Sequence, residues 1–283
     1  MTETQSETNA GELYLDLLKR TLTRALFEDS DQILGVSTAG RTGWKWRVVN
    51  GVARVLGSAG YELVRKRPYQ GAVREAGLDW PARAESMIGL HRMDNLRYCV
   101  EEVLRDDVPG DLIETGVWRG GAAIFMRAIL KAHGDTGRTV WAADSFRGLP
   151  PPDPHRYPAD SGDRHFSQDG LRVGVDQVKD NFRRYGLLDN QVRFLVGWFK
   201  DTLPTAPITE LAVLRLDGDM YESTMQAIDS LYPKLSPGGF CIVDDYGAVP
   251  ACRQAITDYR SEHGITERIV TIDWAGAFWR RER

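Results

Sequence analysis

Four carboxylates in two short stretches carry the clearest chemistry in this chain. Leu211-Ala-Val-Leu-Arg-Leu216 runs into Asp217-Gly218-Asp219, and Phe240-Cys-Ile-Val243 runs into Asp244-Asp245. Each stretch reads as a buried parallel strand ending abruptly in acids. In an open α/β sheet, ligands bind beyond the carboxyl ends of the strands. Crowding four acids there is costly unless a cation or shared protons neutralise them. The spacing therefore predicts a divalent metal held by oxygen ligands.

A second group lies upstream. The short apolar strand Asp111-Leu-Ile113 leads into Glu114-Thr115-Gly116, and Gly120-Gly121 opens a segment rich in Ala, Ile, Phe and Met. Glycine lets a ligand approach the backbone closely, and the helix that follows offers free N–H groups. A carboxylate at Glu114 would repel pyrophosphate but suits an amino group or a sulfonium. The Gly-x-Gly-x-x-Gly loop of a dinucleotide-binding dehydrogenase is absent. About one βαβ unit later, Thr139-Val-Trp-Ala-Ala143 ends in Asp144, the position that commonly binds a ribose hydroxyl. Taken alone, the Glu114–Gly121 loop could be a tight strand-to-helix turn; Glu114 and Asp144 together point to a nucleoside-bearing cofactor.

These groups need elements to position them. Apolar spacing predicts helices over 12–27, over the short stretch 84–90 continuing through Leu104, after Gly121, and over 173–185, 221–235 and 250–263. Strands are expected at 191–196 and at the four stretches above. Ser236-Pro-Gly-Gly239 reads as a turn, and 269–279 as a closing hairpin. Strands alternating with helices predict an α/β fold with a mostly parallel sheet, and the hairpin adds antiparallel strands at its edge. Leu149–Gly170, rich in Pro, Asp and His, reads as a substrate loop, with His155 and His165 each taken as solvated. Residues 1–10 read as a disordered tail. Residues 40–70 are basic and amphipathic, with Trp44 and Trp46. Their glycines and modest length favour a mobile lid or a subunit contact over a membrane surface.

Composition sets the outer limits. The 283 residues, 42% hydrophobic, suffice for one large domain with an accessory segment. A net charge of −4 gives no general attraction to nucleic acid. Cys99, Cys241 and Cys252 have no metal-ligand spacing and suit buried thiols in a reducing cytoplasm. The first residues lack the pattern of a signal peptide, and no apolar run reaches the ~18 residues of a membrane span.

Taken in order, Glu114-Thr115-Gly116, Asp144, Asp217-Gly218-Asp219, Asp244-Asp245 and the closing hairpin resemble class I S-adenosylmethionine-dependent methyltransferases. More narrowly, Leu13–Leu18, Glu114–Gly121, Ala143–Phe146, Gly197–Pro204 and Leu235–Phe240 resemble the macrocin O-methyltransferase family, which methylates sugar hydroxyls on antibiotic natural products. The resemblance covers nearly the whole chain except about 40–70. It implies a Rossmann-like, seven-stranded methyltransferase domain over 81–283, an N-terminal helical lid over 1–80, and a homodimer. It also implies magnesium, and as partner a small-molecule glycosylated natural product of macrolide or aminocoumarin type, methylated on a deoxysugar. Another small hydroxylated metabolite is the alternative acceptor. Asp217, Asp244 and Asp245 take the metal positions that the family shares with catechol-type methyltransferases. Those enzymes place a lysine base where this chain has Met220, which leaves Asp219 as general base. On the cofactor side, Glu114, Thr115 and Gly116, with Met87 and Ile88, are expected near the methionine portion. Asp144 is expected at the ribose, and Ser145, Gly197 and Trp198 around the adenine.

Overall fold

The computed structural model describes residues 9–28, 32–34 and 43–282. Most of the tail expected at 1–10, and residues 40–42 of the basic segment, lie outside the described residues. Helix α1 (Ala10–Leu22) is capped by the Asn9 side chain and buries Leu15, Leu18 and Leu22. It ends before the expected Phe27 because Arg24 turns left-handed at φ 56°. Strand β1 (Gln32–Ile33) pairs antiparallel with β2 (Val64–Arg65). Between them α2 (Trp44–Ser58) exposes Trp44, Val48, Val52 and Val55 along one side. The short α3 (Gly71–Glu75) precedes α4 (Gly89–Arg105).

The main sheet holds β3 (Asp111–Thr115), β4 (Val140–Asp144), β5 (Val192–Val196), β6 (Leu211–Leu216), β7 (Leu235–Val243), β8 (Val270–Thr271) and β9 (Ala277–Arg280). Their order is β5-β4-β3-β6-β7-β9-β8. The first five of these positions run parallel, and β9 pairs antiparallel with both β7 and β8. The expected seven-stranded, mostly parallel sheet with an antiparallel closing hairpin is thus present. The connecting helices are α5 (Gly121–Ala132), α6 (Val175–Arg184), α7 (Phe199–Thr202), α8 (Tyr221–Leu231) and α9 (Pro250–Glu262). Alternation along β3 sends Leu112 into a core with Leu22, Met93, Phe125 and Phe182, and Ile113 into one with Leu231, Ile256, Tyr259 and Trp279. The sheet is therefore the middle of three layers. Among the described residues, no helix is long and apolar enough to cross a membrane.

Two local expectations fail for physical reasons. Residues 84–88 are irregular with bends, not a helix. Their backbone is used elsewhere: the Glu85 and Ser86 N–H groups donate to Leu22 O, and Glu85 O accepts from Gly121. Gly89 then starts α4 at φ +74°, where a Cβ would run into the backbone of Glu75 and Gly77. The Ser236–Gly239 turn is in fact a bulge inside β7. Leu235 pairs with Leu211, and the register jumps so that Phe240 pairs with Val213.

Candidate active site

Strand order places the site. From β3 the chain moves outward through β4 to β5, then returns to lay β6 on the other side of β3. The gap between β3 and β6 is a topological switch point, where α/β sheets bind ligands. Register keeps the strand ends level: Thr115 pairs with Ala143 and Leu216, and Leu216 pairs with Val243. Beyond these ends lies a cavity of about 1000 Å³. Its wall includes Met87, Ile88, Glu114, Gly116, Asp144, Ser145 and Trp198 together with Asp217, Asp219, Asp244 and Asp245. Two of the expected residues do not line it. Thr115 is fully buried, its hydroxyl donating to Arg215 O (3.3 Å). Gly197 is tied to the end of β4 instead, its N–H donating to Asp144 O (2.9 Å).

On the β3–β4 side the backbone is tightly held. Gly116 sits at φ +87°, and a Cβ there would overlap the carbonyl oxygen of Asp217. Left-handed strain for a non-glycine residue costs about 1–2 kcal/mol and a forced overlap about 1–3 more. Gly116→Ala is therefore expected to lose roughly 2–5 kcal/mol in urea denaturation. A loss below about 1 kcal/mol would show that this pinch is soft.

Asp144 holds the neighbouring loop. Its Oδ2 accepts from the N–H of Val117 (2.7 Å) and Trp118 (3.4 Å), and its Oδ1 from Phe146 N–H (2.6 Å). Burial raises its pKa, and these N–H groups oppose the rise. The Ser145 hydroxyl donates to Gly148 O (2.7 Å). Trp198 is half-buried on the cavity wall.

Glu114 is buried and doubly engaged. Arg215 Nη1 donates to its Oε1 (2.7 Å), and the Ala123 N–H, in the first turn of α5, donates to Oε2 (2.9 Å). Burial still pushes Glu114 up to about 8, against the pull of Arg215. Arg215 is the feature that pattern reading missed. It points into the acids from β6, every residue of which is buried. Nη1 also donates to Asp217 Oδ2 (2.9 Å), and Nη2 to Asp244 Oδ1. Arg92, from the first turn of α4, donates to Asp244 Oδ2 and to Asp273 Oδ2 (3.1 Å) in the β8–β9 hairpin.

Two guanidinium groups do not balance the acids. Oxygens of Asp217, Asp244 and Asp245 lie within 4.8 Å of one another. Asp245 Oδ2 is buried with no hydrogen-bond partner among the described residues. Burial and the neighbouring carboxylates push Asp217 up to about 7 and Asp245 well above the usual carboxylate range. An orphaned carboxylate oxygen among hard oxygen donors is what a divalent cation fits. Octahedral magnesium, with bonds near 2.1 Å, spreads its ligands over at most about 4.2 Å. The sign of the pH effect follows. The native state holds protons on Asp217 that the unfolded chain has already released, so the metal-free protein loses stability as pH rises from about 4 through 7.

Asp219 stands on the same wall in a left-handed conformation, φ 54°, that non-glycine residues rarely adopt. Strain of this kind is kept where function needs it. Burial pushes its carboxyl up to about 6, with His165 pulling down. Met220 behind it is fully buried as the residue preceding α8. The expectation that both loop histidines are solvated fails for one of them. His155 is exposed, but His165 is half-buried on the cavity wall.

Known proteins are similar to this chain over nearly its whole length. Residues 11–281 match the family described as Macrocin-O-methyltransferase (TylF). The chain is 50% identical over 277 residues to the 8-demethyl-8-(2,3-dimethoxy-alpha-L-rhamnosyl)-tetracenomycin-C 4'-O-methyltransferase of Streptomyces olivaceus, covering 96% of this chain and 94% of that one. It is 47% identical over 279 residues to the Mycinamicin III 3''-O-methyltransferase of Micromonospora griseorubida, covering 98% and 99%. Among solved structures, the O-methyltransferase NovP superposes with a TM-score of 0.82 at 46% identity, over 96% of this chain and 100% of that one.

Proposed function

The chain belongs to the macrocin O-methyltransferase family, and we propose from that premise that it methylates a deoxysugar hydroxyl of a glycosylated antibiotic, using S-adenosylmethionine and magnesium. The observation that carries this reading is the single cavity. It joins the Glu114–Gly116 and Asp144 side of the sheet to the acids of β6 and β7. The two relatives named above act on sugar-bearing acceptors, which supports the acceptor class.

Gly116 and the backbone after it would let the donor approach the strand end, with Met87 and Ile88 beside its methionine portion. Asp144 would hold the ribose, and Ser145 and Trp198 would flank the adenine. Thr115 and Gly197 shape this wall from behind. Asp217, Asp244 and Asp245 would hold magnesium, kept in place by Arg215 and Arg92. Bound there, the ion would supply Lewis-acid stabilisation of the oxygen that gives up its proton. Asp219 would take that proton. A carboxyl raised to about 6 is a stronger base than an ordinary one, which suits a weakly acidic hydroxyl. Within residues 1–80, α1 packs into the core of the 81–283 domain, and the segment carrying α2 would form the helical lid. The exposed apolar rows Leu13 and Leu17 on α1, and Trp44, Val48, Val52 and Val55 on α2, support a homodimer. Sedimentation of a monomer at micromolar concentration would overturn the dimer.

The test is methyl transfer from labelled S-adenosylmethionine to mycinamicin III and to 8-demethyl-8-(2,3-dimethoxy-alpha-L-rhamnosyl)-tetracenomycin-C. Labelled product is expected, and EDTA should abolish it, with recovery on adding magnesium. Turnover unaffected by EDTA would remove the metal. Magnesium should also raise the thermal midpoint more at pH 8 than at pH 6, because Asp217, whose carboxyl is raised to about 7, then binds without giving up a proton. An equal gain at both values would count against Asp217 as ligand.

A further inference from the structure

The loop after β4 is not a free surface segment. Asp160 is 1% exposed, and both its oxygens accept from the start of α8: Oδ1 from Tyr221 N–H (2.6 Å) and Oδ2 from Glu222 N–H (3.0 Å). Free N–H groups at a helix start favour such an anion. Tyr157 adds a ring contact with Tyr221, centroids 6.0 Å apart. Helix α8 begins two residues after Asp219, so this latch fixes the loop beside the residue proposed as base.

The latched loop delivers one side chain to the cavity in a set orientation. Asp163 accepts from the His165 N–H (2.8 Å) through Oδ1 and pairs with ring Nδ1 (2.6 Å) through Oδ2. The carboxylate thereby fixes both the backbone and the ring of His165, a pairing that also fixes the tautomer. Nδ1 is committed, and among the described residues no side chain or backbone group bonds Nε2. His165 and Asp219 line the same cavity, and the charge of Asp219 acts on the imidazole. A half-buried ring held on one nitrogen and unpartnered on the other is arranged to meet a polar ligand.

We propose that His165 is an acceptor-binding residue: its Nε2 hydrogen-bonds an oxygen of the acceptor sugar next to the hydroxyl that Asp219 deprotonates, with Asp163 and Asp160 as its positioning residues. This assignment rests on the proposed function and deepens it, by naming a residue that selects the acceptor rather than the donor.

The experiment compares the intact chain with His165→Ala, His165→Gln and Asp163→Asn, using mycinamicin III as acceptor. His165→Ala should raise the acceptor KM by about tenfold or more, the loss of one well-placed hydrogen bond. Its kcat should change by less than about threefold, which separates acceptor binding from the chemical step. S-adenosylmethionine affinity by calorimetry and the thermal midpoint should stay unchanged, which a merely structural role would not allow. His165→Gln, which keeps a polar group at similar reach, should recover part of the KM. Asp163→Asn should raise it by less than His165→Ala. An unchanged acceptor KM in His165→Ala overturns the assignment, as does a KM rise that comes only with loss of stability and donor binding. If the unaltered chain turns over neither mycinamicin III nor the tetracenomycin acceptor, the proposed function fails and this assignment fails with it. Normal turnover with an insensitive His165→Ala overturns this assignment alone.

Discussion

Asp219→Asn is expected to lower turnover by about 10²–10⁴-fold while S-adenosylmethionine binding stays within about twofold of the original. The substitution keeps the shape of the side chain and removes only its capacity to accept a proton. The neighbouring residues after β6 and the Asp244 carboxylate are poorly suited to replace it. Met220 is buried and carries no base. The carboxylates of Asp217 and Asp244 are engaged by Arg215. Asparagine also tolerates left-handed backbone, so the φ of 54° at this position should survive the change. Two measurements decide the matter: single-turnover transfer of a labelled methyl group, and calorimetry with the donor. Turnover within about fivefold of the original would remove Asp219 as base. Loss of donor binding in step with turnover would mean that the loop, not the proton transfer, had been damaged.

Much of this site is written in local pattern, and the rest is not. The convergence of Asp217, Asp219, Asp244 and Asp245 was legible because apolar strands of an α/β sheet end at a common edge, and type and spacing locate that edge. The counter-charges were not. Arg215 lies inside a strand whose neighbours are all apolar, so periodicity counts it as one more buried position. Arg92 reaches Asp244 across 152 residues of sequence, and no local signal links them. A charged residue within a fully buried strand is itself a cue, because such a group must find a partner. The crowded acids were expected to call for a cation, and the chain itself brings two guanidinium groups, Arg215 and Arg92, to them. The loop carrying Asp160 and His165 has only short 3₁₀ turns, so apolar spacing carried no information about which of its side chains face inward. The helix expected at 84–90 fails for the converse reason. Its apolar spacing is compatible with a helix, but tertiary hydrogen bonds to Leu22 and Gly121 take its backbone groups first.

Arg215→Leu should destabilise the protein by about 3–5 kcal/mol at pH 8, the cost of removing one partner from a buried ionic group. Arg215 is 1% exposed and bonds Glu114, Asp217 and Asp244 at once. Leucine fills much of the volume, so the loss is electrostatic in origin and not a cavity. The pH dependence separates the two. Without the guanidinium, the acids can relieve their repulsion only by holding protons, and the raised native pKa values of Glu114 and Asp217 must rise further. A raised native pKa makes stability fall as pH rises, so the deficit of Arg215→Leu should shrink as pH is lowered from 8 towards 5.5. Arg215→Lys should lose less, since one ammonium restores the charge but cannot reproduce the forked contacts to three carboxylates. Urea denaturation at the two pH values, with EDTA present, measures all of this. A deficit that does not change with pH would mean that lost packing, and not unbalanced charge, explains the effect. A deficit below about 1 kcal/mol at pH 8 would mean that the acids are already protonated around Arg215. In that case the metal would have to displace those protons in order to bind, and magnesium affinity would rise steeply across the same pH range.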